Sequence, residues 1–324
     1  MEDTQRPFDD IRNLIRTMPG EDNAAGMAVR EKIANFPGPQ PILGLQQDSL
    51  EWLASWQKKE NPSIERPLVA IFAGTHEVSK HLFGPNIIKK ASHRVQGLTS
   101  GKSAIRGMAA GLGATYKIYE MGLEHPVPDM TEAETLSEIE CAAAIAFGME
   151  VVAEGADIIV LGAAGLGAAT AAAAIAQGLY GGASDYWAGG QGEIAEARIA
   201  AVEKAMRTHT GISSDPLECL RVFGGRDIAG LVGAIIAARH QSIQVLLDGF
   251  IVCAAAAILH KIDPKALDHC WAGHLSAEPA HGALLDRLGK TPMLDFGLPV
   301  GDGTGATFAL GTIASSVSAL TSLV

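Results

Sequence analysis

The chain has 324 residues, 48% of them hydrophobic and 19% charged, which is enough apolar content to bury a large core and excludes a disordered or fibrous protein. Its 36 acidic residues outnumber 25 Lys and Arg, and the resulting net charge of -11 draws it to neither nucleic acid nor an anionic membrane. Small molecules, or copies of the chain itself, are the partners to expect.

The opening segment MEDTQRPFDD is acidic and has no apolar run, so it reads as neither a secretory signal nor a transit peptide, and the expected location is cytoplasmic. A helical stretch follows, and the Pro- and Gly-rich FPGPQPILG closes it, so a seam is expected between residues 23 and 44. Beyond it, short aliphatic or β-branched runs at 68–73, 116–121, 158–161 and 245–247 each end at a turn and lead into a helical pattern. Apolar residues at helical spacing occupy 132–153, 193–209, 227–240 and 249–261. This alternation predicts βα units and a parallel sheet with helices on both faces. The alanine run at 168–176 reads as close helix packing. The most apolar stretch, 243–259, is at the lower limit for spanning a bilayer and contains Gln244 and Asp248, so it reads as a buried strand entering a buried helix. In the last segment Leu310, Ile313, Val317 and Leu320 recur at steps of three and four, predicting a packed helix that joins the N-terminal helices in a small bundle. The expected fold is therefore α/β, a doubly wound, mostly parallel sheet plus a small helical subdomain, with units at 1–44, 45–304 and 305–324. Cys141, Cys219, Cys253 and Cys270 are far apart, without a CxxC pair, and are expected to be buried thiols rather than zinc ligands or disulfides.

Four stretches could carry chemistry. Residues 158–170 form a strand, a glycine-rich turn and a helix start, where free backbone N–H groups and the helix dipole favour a phosphate; tight packing explains the glycines equally well, because their spacing fits neither the Rossmann nor the Walker pattern. Asp248 and Gly249 follow a strand, which puts a carboxylate at the ligand-binding edge of a parallel sheet or, alternatively, at the cap of the next helix. The run from His274 to Pro279 offers imidazole, hydroxyl and carboxylate groups, with Ser276 and Glu278 as candidates. Last, Gly301-Asp302-Gly303-Thr304-Gly305 sets one carboxylate among three glycines ahead of a helix, either as a general base or as a helix cap.

In this order, together with DPLECL at 215–220, LLDGFI at 246–251, AGHLSAEPAH at 272–281 and LDFGL at 294–298, these stretches resemble the nicotinate-nucleotide:dimethylbenzimidazole phosphoribosyltransferase family over nearly the whole chain. The resemblance implies a homodimer with nicotinate mononucleotide and an azole base as substrates, and neither cofactor nor metal. It also implies a carboxylate base that deprotonates the azole, whose other nitrogen then displaces nicotinate from the ribose. Asp302 takes the base's place in the family's GEGTG motif, one methylene short of the family glutamate. The family's GEMGIGNTT loop stands here as residues 162–170, with Ala163 and Ala168 where it has a carboxylate and an amide. The implied phosphate and ribose site comprises Gly165, Leu166, Gly167, Ala168, Thr170, Asp248, Gly249, Ser276, Glu278, Gly301 and Gly303, with Arg198 in place of a lysine. The implied azole pocket comprises His93, in place of a glutamine, with Ala164 and Val300. The same substitutions leave an alternative: a paralogue impaired in catalysis that binds nucleotides as a regulatory or partner subunit.

Overall fold

A computed structural model describes residues 6–212 and 215–323. Five strands, β1 (Pro67–Ala73), β2 (Thr115–Glu120), β3 (Ile158–Ala163), β4 (Gln244–Leu247) and β5 (Cys270–Ala272), form one all-parallel sheet in the order β2-β1-β3-β4-β5. The inner strands are mostly Val, Ile, Leu and Ala because both faces of the sheet are covered. Alternation within β1 sorts the two cores: Leu68, Ala70 and Phe72 point to one, Val69, Ile71 and Ala73 to the other. The predicted strands appear within two residues of their expected positions.

The first core is roofed by α7 (Glu138–Met149), α8 (Ala168–Tyr180), α11 (Pro216–Phe223), α12 (Arg226–His240) and α13 (Gly249–Ile262). The second is closed by α5 (Ile87–Thr99), α6 (Ala104–Gly111) and the first half of α15 (Thr304–Leu323). Farther along α15, Leu320 joins Val29 and Ile33 of α2 (Asn23–Ala34) and Leu50 and Ala54 of α3 (Gln46–Gln57) in a small separate cluster. The N- and C-terminal helices thus form the expected small bundle, while α1 (Pro7–Arg16) instead packs Phe8, Ile11 and Ile15 on the main core. Two parallel strands, β6 (His274–Ser276) and β7 (Leu294–Leu298), make a second sheet that the sequence reading missed.

The pairing of α7 with α12 is built on glycines. A methyl on Gly148 would overlap the Gly230 carbonyl, and one on Gly233 would overlap the Ile145 carbonyl. Neither backbone can yield without separating the helices. Gly148→Ala is therefore expected to cost about 3 kcal/mol in chemical denaturation. Gly107→Ala is the control: it sits in α6 with nothing within 4 Å of the added methyl, and should be neutral or slightly stabilising.

Candidate active site

Adjacent strands β1 and β3 send their following segments in opposite directions, which opens a crevice at their carboxyl ends, the place where doubly wound sheets hold ligands. A cavity of about 850 Å3, part of it open to solvent, lies there. Its wall includes Gly165, Gly167 and Thr170 beyond β3, Ser276 and Glu278 beyond β6, and Val300 and Gly301 beyond β7.

The turn between β3 and α8 is shaped for an anion. Gly167 precedes α8 at φ +92°, and a β-carbon there would also come within 2.9 Å of the His76 β-carbon, so only glycine fits. Among the described residues, the N–H groups of Gly165, Gly167 and Ala169 meet no protein acceptor and sit at the positive end of the α8 dipole. Beneath the turn His76 Nε2 lies 2.9 Å from Asp227 Oδ1, both residues fully buried. Burial alone would raise the Asp227 pKa, but the charge of His76 and the hydrogen bonds it receives hold it below the ordinary value. A side chain on Gly165 would overlap Asp227 Oδ2, so this pair fixes the turn from below.

The loop at 299–303 lies directly against the end of β3. Ala163 N–H donates to the Gly301 carbonyl at 2.8 Å, and a β-carbon on Gly162 would come within 2.5 Å of Gly303 N. Asp302 is half-buried; its Oδ1 accepts from the Thr304 N–H at 3.2 Å and the Thr304 hydroxyl at 2.6 Å. No described donor meets Oδ2, so one oxygen holds the start of α15 and the other is left without a protein partner. Asp248 supports the same helix from below. Although it precedes α13 it makes no bond to it; its carboxylate crosses to α15, accepting from Gly303 N–H at 2.9 Å and Ala306 N–H at 2.7 Å. His274 Nε2 stands 3.1 Å from Asp248 Oδ1, at ion-pair distance but off hydrogen-bonding alignment.

Arg198 lines the cavity, but the protein already uses its charge. Its Nη1 meets Glu278 Oε1 at 2.5 Å, its Nε donates to the Ala188 carbonyl and its Nη2 to the Gly189 carbonyl. Ser276 is held through buried His281, whose Nδ1 accepts from the Ser276 N–H at 2.9 Å and lies 2.9 Å from its hydroxyl, while Nε2 faces Cys253 Sγ.

Of the residues expected in the site, Gly165, Gly167, Thr170, Arg198, Ser276, Glu278, Val300 and Gly301 form the cavity wall. Leu166, Ala168, Ala164, Asp248, Gly249 and Gly303 do not: they are buried behind it as supports. Asp302 is outside the wall too, one residue past Gly301 on the side facing Arg94 and Tyr116, whose ionisation its charge influences. His93, expected in the azole pocket, is exposed on α5 and off the wall, and the adjacent Arg94 takes that place. Leu82, Phe83, Ile194, Phe250 and Pro299 also line the cavity and were not anticipated. Phe83 and Arg94 lie in a stretch that carries none of the motifs on which the resemblance rests.

The buried histidines give this region a pH dependence. Burial pushes His269 down to about 3, and burial together with the charge of His274 pushes His281 down to about 4. Both are neutral when folded and take a proton near pH 6.5 when unfolded, so their contribution is complete above that pH and is lost as pH falls toward 4. Stability in urea is expected to drop by roughly 3 kcal/mol between pH 7 and 5. His269→Asn should flatten that slope.

Comparison with known proteins agrees with this geometry. A family profile described as phosphoribosyltransferase matches residues 18–324. The chain is 44% identical over 307 residues to the nicotinate-nucleotide–dimethylbenzimidazole phosphoribosyltransferase of Brucella anthropi, covering 94% of this chain and 91% of that one. It is also 44% identical over 316 residues to the protein of that name from a Sinorhizobium species, covering 96% and 93%. The crystal structure of the protein so named from Thermus thermophilus superposes with a TM-score of 0.83 at 26% identity, covering 93% of this chain and 96% of that chain. With a matching profile, relatives aligned nearly end to end and the same fold, the chain belongs to the nicotinate-nucleotide–dimethylbenzimidazole phosphoribosyltransferase family.

Proposed function

We propose that the protein transfers the phosphoribosyl group of nicotinate mononucleotide to dimethylbenzimidazole or a related azole, giving an α-ribazole phosphate for the lower ligand of a cobamide. The observation that carries this reading is one cavity joining two chemistries: the N–H groups of Gly165, Gly167 and Ala169 without protein acceptors, and the Pro299–Gly301 stretch of wall that leads directly into Asp302. The phosphate sits on those N–H groups with Thr170, where the α8 dipole favours its charge. Glu278, held by Arg198, and Ser276 address the ribose hydroxyls. Asp302 Oδ2 takes the proton from one azole nitrogen, and the lone pair of the other attacks the anomeric carbon from the face opposite nicotinate. The ribose–nicotinate bond breaks with its electrons staying on the pyridine nitrogen, which loses its positive charge. The departing ring thus needs no proton.

The retained cavity and base favour this reading over the nucleotide-binding paralogue. The expected units 1–44, 45–304 and 305–324 stay part of the proposal, with all cavity-lining residues between 45 and 304. A homodimer and a cytoplasmic location belong to the same proposal; no helix of the described residues is long and apolar enough to cross a membrane, and Cys141, Cys219, Cys253 and Cys270 are buried free thiols. Incubation with nicotinate mononucleotide and a panel of azoles, following nicotinate release, tests it. Release no faster than the enzyme-free background with every azole would sink it.

A further inference from the structure

We propose that Arg94 is an acceptor-specificity residue whose guanidinium binds a hydrogen-bond-accepting edge of the azole, so that the site favours azoles bearing an oxygen or ring nitrogen there over azoles bearing only methyl groups. The inference rests on the phosphoribosyl-transfer reading and extends it to the acceptor.

Two cationic side chains line the cavity, Arg94 and Arg198. The nitrogens of Arg198 are engaged by Glu278, Ala188 and Gly189, so its charge is met within the protein. Arg94 differs. Among the described residues it makes no hydrogen bond and has no carboxylate within ion-pair distance, leaving five N–H donors unused. Protein crowded around the guanidinium lowers its pKa, and the one charge found to act against this is that of Asp302. The Arg94 side chain is exposed on the cavity wall, so water meets its donors until a ligand that can accept from them displaces it.

Direction follows from the helix. Ile87, Ala91 and Val95 form the buried stripe of α5, and Arg94, three residues after Ala91, leaves from the margin of that stripe into the cavity, while His93 points outward. Arg94 shares the cavity wall with Val300 and Gly301, the residues that lead into Asp302, and the Asp302 charge acts on it. The base acts on the acceptor ring, so a group at the base's end touches the acceptor. The methyl groups of dimethylbenzimidazole offer a guanidinium no acceptor atom; a ring oxygen substituent or a purine nitrogen does.

The test measures kcat/KM for hydroxybenzimidazole and for dimethylbenzimidazole with the wild type, Arg94→Met and Arg94→Lys, with nicotinate mononucleotide as donor. Arg94→Met is expected to lower the ratio of the two by about 10- to 100-fold. Arg94→Lys, keeping charge without the planar fork, should retain part of the preference. An unchanged ratio, an equal loss on both azoles, or a raised KM for nicotinate mononucleotide with the ratio intact would overturn the proposal. Calorimetric Kd values for the two azoles separate this from failure of the transfer reading. If the wild type turns over no azole, transfer is refuted, and a Kd ratio that Arg94→Met leaves unchanged overturns the role of Arg94 as well.

Discussion

Asp302→Asn is expected to lower the rate of nicotinate release by roughly two to four orders of magnitude, with little change in the thermal midpoint. The two effects separate because the two carboxylate oxygens have separate duties. Oδ1 accepts from the Thr304 N–H and hydroxyl, and an asparagine oxygen preserves both bonds. Oδ2 has no described protein donor, and an amide nitrogen in its place cannot accept the azole proton. Asp302→Ala should show the same loss of rate plus about 1 kcal/mol of instability, the ordinary cost of removing a side-chain cap. Steady-state assays read beside thermal unfolding check both statements. An Asp302→Asn enzyme within about tenfold of the wild type would remove Asp302 from the role of base.

Asp248→Ala should be the most damaging single change to the site's framework, costing about 3–5 kcal/mol and most of the activity. The carboxylate is fully buried and each oxygen serves a different N–H at the start of α15, so truncation strands both donors and leaves His274 beside an empty space. Because those N–H groups hold the turn carrying Asp302, a shift of about 1 Å there would itself cost on the order of a hundredfold in rate. Asp248→Asn should fall between, since its single oxygen can serve only one of the two. A pH signature accompanies the change. Burial opposes a proton on His274, yet Asp248 outweighs it and raises the histidine's pKa. The stability gained from that pair is complete below pH 6.5 and is lost as pH rises through the raised value, so Asp248→Ala should abolish that alkaline loss. Denaturation at pH 6 and at pH 8 reads the difference.

These two aspartates show how far the sequence reaches. The four long strands and the major helices were legible because hydrophobic period is a local property: runs buried on both faces read as continuous Val, Ile and Leu, and α15 reads from its three- and four-residue steps. The glycine-rich turns were legible as possible sites because few residues tolerate their backbone, and ordered motifs identified the family. The strands β5, β6 and β7 were not legible: β5 and β6 have three residues each, too few for a period, and β7 is largely exposed with Asp295 and Gly297 in its run, so pairing rather than propensity makes them strands.

Roles depend on distant partners, which one sequence cannot place. Asp248 was correctly set at the sheet edge, but its carboxylate is taken up by a helix more than fifty residues away and it does not line the cavity. Arg198 was correctly set in the cavity, but Glu278, eighty residues on, already claims its charge. On α5 a single position separates exposed His93 from Arg94 in the cavity, and only the helix's rotation against the core chooses between them. The residue pattern alone specified the layers, the family and the glycine-flanked loop that carries Asp302. The tertiary structure alone decided which charges are already neutralised and which still face the cavity, because the distance between two charges is set by packing and not by their separation along the chain.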